Sequence, residues 1–185
     1  MRRLFTTLAL AAAIAAPALA QGTFTADASL AQDDRQVRSV FLEDLKAVVV
    51  ASGHTITAAE GNSVSATNAN GLIYSLDGTV CENDIRPGCL GININVEYEG
   101  DDMVTYEKMN AANLNWTPVS VALEGDIGTE DSTLIITRYV ILDGGMTMLN
   151  VRENLANALS ISVAVADYIW EVGEYAPDYA EGAGQ

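Results

Sequence analysis

The sequence predicts an α+β domain, an antiparallel β-sheet flanked by helices, with the element order α-ββββ-α-ββ-α. Three observations predict this class. Residues 90–99 alternate between apolar and polar side chains, which is typical of a strand with one buried and one solvated face. Single helical stretches separate runs of strand-like sequence, which indicates an antiparallel sheet with helices packed on it. The 185 residues suffice for one domain with its own core.

The first helix is predicted to begin at Val40, where apolar side chains start to recur at three- and four-residue spacing. Gly53 is suited to end it, because glycine adopts the left-handed conformation common just after a helix. Four strands are then predicted, at residues 54–58, 63–67, 72–80 and 90–98.

The second helix is predicted at residues 103–114, before Pro118, which cannot continue a helix. The last helix is predicted to start with Asn150 as N-cap and Glu153 three residues later, and to run to Glu171. Two strands are predicted between these helices, at residues 119–123 and 134–142.

The strand at residues 134–142 is apolar on both faces. Leu134, Ile136, Val140 and Leu142 share one side, and Ile135, Tyr139 and Ile141 share the other. A strand with one solvated face should alternate apolar with polar residues. We therefore predict that a second copy, forming a homodimer, or another bound protein covers the second face. The alternative is that Thr137 and Arg138 mark a sheet edge and the helices cover the rest.

Residues 1–20 have the parts of a cleavable signal peptide. Arg2 and Arg3 precede an apolar stretch that ends in the small-x-small pattern at residues 18–20. The stretch is short for a membrane span and has no stop-transfer flank, so no membrane insertion is expected after cleavage. The sequence thus predicts a periplasmic or secreted protein, cleaved between Ala20 and Gln21. Residues 21–38 are predicted to be a flexible lead-in, 39–173 the folded domain and 174–185 an acidic disordered tail.

The chain has 9 basic and 25 acidic residues, a formal net charge of −16. Cleavage would remove Arg2 and Arg3 and leave seven basic residues against 25 acidic ones. Such a charge repels nucleic acid and anionic membranes, which we exclude as partners. The negative charge either keeps the protein soluble or forms an acidic docking surface.

Cys81 and Cys89 are the two cysteines, and both lie in the part predicted to be exported. Thiols in an oxidising compartment are usually bonded, so a structural disulfide is predicted. A redox-active pair is the alternative, although the C-x-x-C spacing that lowers a thiol pKa is missing.

No catalytic, cofactor-binding or metal-binding residue is assigned, and no cofactor is expected. His54 is the single histidine, and the motifs that place a nucleophile or a phosphate are missing. Glu97, Glu99, Asp101 and Asp102 would form a weak calcium site only if their oxygens converged.

Several short motifs together resemble the YbjN family over residues 41–171. They are the cysteine pair before an alternating strand, Met109-Asn110-x-x-Asn113, and residues 142–147 leading to Glu153-Asn154-Leu155. Residues 148–151 depart from the pattern as a small insertion. The resemblance implies a fold similar to type III secretion chaperones, a sensory-transduction regulator, and no catalytic residues. The chaperones bind protein segments, often as dimers.

These observations favour a non-enzymatic periplasmic module of the YbjN type that binds another protein or regulates an envelope pathway. The alternatives are an enzyme with an unrecognised carboxylate site and a passive acidic envelope protein that binds cations.

If the signal peptide is cleaved as predicted, protein recovered from the cell envelope begins at Gln21. Amino-terminal sequencing measures this directly. Envelope protein that retains Arg2 and Arg3 would contradict both the cleavage and the predicted location.

Overall fold

A six-stranded antiparallel sheet organises this computed structural model, which describes residues 24–82 and 84–172. The predicted signal peptide and acidic tail lie outside these ranges. In chain order the elements are a 3-10 turn (Ala28–Ala31), β1 (Gln36–Val37), α1 (Leu42–Ala51), β2 (Thr55–Glu60), β3 (Ser63–Thr67), β4 (Ile73–Thr79), β5 (Gly91–Glu99), α2 (Tyr106–Asn115), β6 (Ser120–Glu124), β7 (Thr133–Ile141), β8 (Met146–Thr147) and α3 (Met148–Ile169).

The predicted fold class is confirmed: the sheet has the order β2-β3-β4-β5-β7-β6, with every neighbouring pair antiparallel. The strand with the clearest alternation, β5, lies inside the sheet between β4 and β7. Its apolar residues Ile92, Ile94 and Val96 are buried, whereas Glu97 and Glu99 are exposed. The alternation in the sequence therefore marks the two faces of the sheet.

The helices all pack against the apolar face. One buried cluster joins α1 and the first half of α3 to the strands from β2 to β5, with Val48, Leu76 and Leu155 among its members. A second cluster joins α2 and the end of α3 to β6 and β7. None of the described helices is both long enough and apolar enough to cross a membrane.

The start of α1 differs from the prediction by two residues. Val40 does not enter the helix because its N–H and carbonyl both bond to the backbone of Cys89, at 3.0 and 2.8 Å. The helix starts at Leu42, where the buried Asp44 carboxylate accepts the Phe41 N–H at 2.8 Å. The Arg35 guanidinium pairs with Asp44 and so compensates its charge.

The start of α3 was predicted wrongly. Thr147, and not Asn150, is the N-cap, and its hydroxyl accepts the Asn150 N–H at 3.2 Å. The helix therefore includes residues 148–151, which the sequence suggested were an insertion before it. The reason is long-range: the N–H groups of Met148 and Leu149 bond to the carbonyls of Arg35 and Asp33 at 2.9 and 3.1 Å.

Those carbonyls belong to the segment that was predicted to be a flexible lead-in. Within residues 24–38 the structure instead contains the 3-10 turn and β1, which pairs with β8 in a separate two-stranded sheet. Val37 is buried in the first cluster. The segment is short and polar in sequence, and its order comes from backbone bonds to a distant part of the chain.

The cysteines are joined in the structure, with an S–S distance of 2.05 Å. The loop that they close follows β4, and Val80 there has a φ of 54°, which is uncommon for a β-branched residue. A bond from the Leu90 N–H to the Val80 carbonyl, at 3.3 Å, helps hold this conformation. The loop therefore connects two adjacent strands, and Cys89 joins it to the chain before α1.

The second face of β7 has no helix over it in the described ranges. Leu134, Ile136 and Val140 are buried under the helices, but Tyr139 and Ile141 on the other face are 49% and 61% exposed. The strand lies between β5 and β6, so the alternative that residues 137 and 138 mark an edge is wrong. Whether a partner covers this face stays a prediction.

The outer edge of β6 is blocked by a side chain from α2. The Asn113 amide accepts the Val121 N–H at 2.8 Å and donates to the Val121 carbonyl at 3.0 Å. It thus replaces the backbone of a neighbouring strand, a protection that sheet edges commonly need.

Replacing Asn113 with Ala removes both bonds and leaves two backbone groups of β6 without their partner. We expect the free energy of unfolding to fall by about 1–2 kcal/mol, the usual contribution of two hydrogen bonds. Urea denaturation measures the loss. Asn110→Ala is the control, because Asn110 is exposed on the same helix; an equal loss in both variants would disprove the blocking role of Asn113.

Candidate functional site

The face of the sheet opposite the helices has no helix over it in the described part of the chain. We call it the open face. The strand registers place the following side chains on it: Glu60 of β2, Ser63, Ser65 and Thr67 of β3, Ile73, Ser75, Asp77 and Thr79 of β4, Asn93, Asn95, Glu97 and Glu99 of β5, Ser120, Ala122 and Glu124 of β6, and Thr133, Ile135, Thr137, Tyr139 and Ile141 of β7.

A hydrogen-bond network occupies the middle of the open face. Asp77 accepts bonds from the Asn95 amide at 2.7 Å, from the Ser75 hydroxyl at 2.6 Å and from the Ser63 hydroxyl. Asn95 in turn accepts the Thr137 hydroxyl at 2.7 Å. The network crosses four neighbouring strands, so these polar side chains are fixed in position before any ligand arrives.

At one end of the open face, which we call the apolar end, the exposed side chains of β7 are apolar, with Asp77 in the same cross-strand row as Tyr139. The Tyr139 ring lies over Gly91, where a Cβ atom would overlap both the ring and its hydroxyl. Ile141, the partner of Gly91 in the ladder, is next to it and largely exposed. Glycine at position 91 therefore gives the Tyr139 ring room beside an exposed isoleucine.

The other end of the open face, which we call the acidic end, carries three glutamates next to the apolar Ile135, which pairs with Glu97. Glu97 and Glu99 alternate along β5, and Glu124 of β6 lies in the same cross-strand row as Glu99, with Thr133 between them. All three glutamates are exposed. None makes an ion pair with another described residue.

Basic side chains lie elsewhere. Seven remain after the predicted cleavage, and none occupies a described strand position on the open face: Arg35, Arg38, Lys46, Arg86, Lys108, Arg138 and Arg152. Four of them pair with carboxylates away from the sheet. Arg138 points to the helix side, where it donates to Asn154 and Asn157 at 2.9 Å.

The single histidine lies in a groove on the helix side. The groove, about 580 Å³, lies between the end of α1 and α3, and its lining includes Ser52, His54, Asn68, Arg152, Glu153 and Ser160. Most polar groups there already have partners. The Ser52 hydroxyl donates to a carbonyl of α1, His54 Nδ1 is 2.7 Å from the Tyr74 hydroxyl, and Arg152 pairs with Asp33.

No nucleophile–base pair is assembled in that groove from the described residues, since the one side-chain partner of His54 is a tyrosine buried in the core. Among residues 24–82 and 84–172, no three histidine, cysteine or carboxylate side chains are placed to hold a metal ion. The predicted alternative of a calcium site is weakened further because Asp101 is used internally: it accepts the Trp170 indole N–H at 2.8 Å and the Met103 N–H at 2.9 Å.

No family model matches the chain, and no curated protein sequence matches it. Among solved structures, the fold is similar to YbjN from E. coli, described as a candidate transcription regulator, with a TM-score of 0.55. The match covers 93% of that protein and 73% of this chain. The chain has a YbjN-like fold. With 14% identity, the likeness to YbjN establishes the fold and not an activity.

The motifs that suggested YbjN have architectural roles in this chain. Asn113 blocks the edge of β6, Thr147 caps α3, and Asn154 accepts a bond from Arg138. These residues are needed to connect elements, and none of them lies on the open face. Sequence motifs did not identify the open face as a candidate site. The polar positions of β5 and the apolar second face of β7 did indicate a face of the sheet without helices.

The environment of His54 gives a measurable pH dependence. Burial lowers its pKa below the ordinary value of about 6.5. Because the unfolded chain then binds its proton at higher pH than the folded chain, stability falls as the pH drops through about 6.5. A ¹H–¹³C NMR titration, with one imidazole in the whole sequence, should give a midpoint below 6.5. In urea the midpoint should return to the ordinary value; a native midpoint at or above it would contradict the burial effect.

Proposed function

We propose that this protein is an exported, non-enzymatic regulatory module that acts by binding another protein through its open face. The observation that carries this proposal is the uncovered second face of a six-stranded sheet, with Tyr139 and Ile141 exposed on it. Exposed apolar side chains surrounded by polar ones are typical of protein interaction surfaces.

The composition of the open face supports binding over catalysis. Its central carboxylate, Asp77, accepts hydrogen bonds from two serines and an asparagine. An enzyme needs a concave site where reactive groups converge. The open face is a broad sheet surface, which suits contact with a protein better. An aromatic ring next to fixed polar groups is the usual composition of an interface anchor.

The YbjN-like fold also supports a role in regulation, because the solved neighbour is described as a candidate transcription regulator. Direct contact with DNA does not suit this chain, whose net charge is −16. The form of regulation that suits it is contact with another protein. The predicted signal peptide supports a periplasmic location for that contact.

Site-specific photocrosslinking in intact cells tests the proposal. A benzophenone amino acid is introduced at Tyr139, on the open face, or at Tyr106, which is 72% exposed on α2. We expect a defined crosslinked species from position 139 in the periplasmic fraction and none from position 106, because only the open face is the docking surface.

Mass spectrometry of the crosslinked species identifies the partner and separates a second copy of this chain from a different protein. Equal products from both positions would indicate nonspecific contact. No product from position 139, with the protein folded and exported, would contradict the proposed function.

A further inference from the structure

The charge of the open face has one sign. Its strand positions carry five carboxylates and no basic side chain: Glu60, Asp77, Glu97, Glu99 and Glu124. Interfaces usually match positive with negative potential. A second copy docked face to face would bring like charges together, so the surface suits a partner of positive charge better than a copy of itself.

The spacing of the glutamates at the acidic end matches the spacing of side chains along an extended peptide. Glu97 and Glu99 are two residues apart on one strand, a separation of about 7 Å. Glu99 and Glu124 are two strands apart, a separation of about 10 Å. Successive side chains on one face of an extended peptide have the first spacing. Two basic residues at alternate positions of such a peptide therefore reach Glu97 and Glu99 together.

The apolar end lies within reach of the same peptide. Ile141 is opposite Gly91, eight residues before Glu99 on β5. Eight strand residues span about 27 Å, so an extended segment of nine residues covers both ends. Between the two ends lie the amides of Asn93 and Asn95 and the hydroxyl of Thr137. A polar segment can contact these groups without leaving a buried polar atom unpaired.

We infer that the open face binds a basic extended protein segment, with an apolar or aromatic residue over Tyr139 and Ile141 and lysine or arginine at alternate positions over Glu97 and Glu99. This inference rests on the proposed function, since it concerns the same surface. It adds the chemical class and the spacing of the partner.

Two fluorescent nine-residue peptides test the inference. The first is Phe-Thr-Val-Thr-Ser-Thr-Lys-Thr-Lys, and the second has Glu in place of both Lys. Fluorescence anisotropy with the full mature protein should show about tenfold tighter binding of the Lys peptide at 50 mM salt, because its two ammonium groups meet Glu97 and Glu99, where the Glu peptide brings like charges together. The preference should shrink several-fold at 200 mM salt, because exposed charges are screened.

Variants locate the binding on the open face. Glu97→Gln with Glu99→Gln should weaken the Lys peptide about tenfold. The control is Glu107→Gln with Glu153→Gln, which changes the net charge equally at exposed positions of α2 and α3. It should change affinity less than about twofold. Tyr139→Ala should weaken binding by a similar factor at both salt concentrations, because it removes an apolar contact. Thermal unfolding shows whether each variant is folded.

Equal binding of the Lys and Glu peptides would overturn the inference, and so would equal losses in the two glutamate pairs, which indicate diffuse attraction. The two proposals fail separately. A specific crosslink from position 139 together with no preference for the Lys peptide would leave the docking face in place and remove its basic partner.

Discussion

The structure depends on the register of β5. This strand pairs along its whole length with β7 and over five residues with β4, and it contributes Ile92, Ile94 and Val96 to the core. A shift by one residue would turn Asn93, Asn95 and Glu97 into the helix layer and bury polar groups among apolar side chains, which is costly. The alternation of this strand therefore decides which face receives the helices and which stays open.

Order at the amino-terminal end of the domain depends on polar contacts and not on hydrophobic ones alone. Asp44 is 5% exposed and lies between the first turn of α1 and Arg35. Arg35 also donates to the Leu30 carbonyl at 2.8 Å, while its own carbonyl accepts the Met148 N–H. Arg35 thus joins the 3-10 turn, α1 and α3. Removing it would destabilise the fold, because the buried Asp44 carboxylate would lose the charge that compensates it.

The sequence was sufficient where the signal is local. Strict alternation predicted β5, apolar periodicity predicted three helices, and the two cysteines predicted the closed loop. It failed where the signal is distant: α3 starts at Met148 because residues 33 and 35 supply acceptors, more than a hundred positions earlier. The network of Asp77, Asn95 and Thr137 was not predicted for the same reason, since its members meet only once the strands are in register.

The open face could be predicted in part from the sequence. Two apolar faces on β7 predicted that something would cover Tyr139 and Ile141, and the polar positions of β5 predicted a solvated surface. The uniform sign of its charge could be recognised only when β2 and β6 were placed beside the central strands. That arrangement depends on the order in which strands pair, which periodicity does not contain.

The Asn113 amide on β6 limits how molecules of this protein could join through their sheets. The two edges of the six-stranded sheet are β6, where Asn113 bonds to Val121, and β2, whose register shifts between Ile56 and Ala58. Two copies that pair through β2 would present β6 at both outer ends. Growth would stop there, because a two-fold arrangement of this kind leaves no complementary edge for a third copy. Pairing of the six-stranded sheet through β2 therefore favours a closed dimer over an open filament.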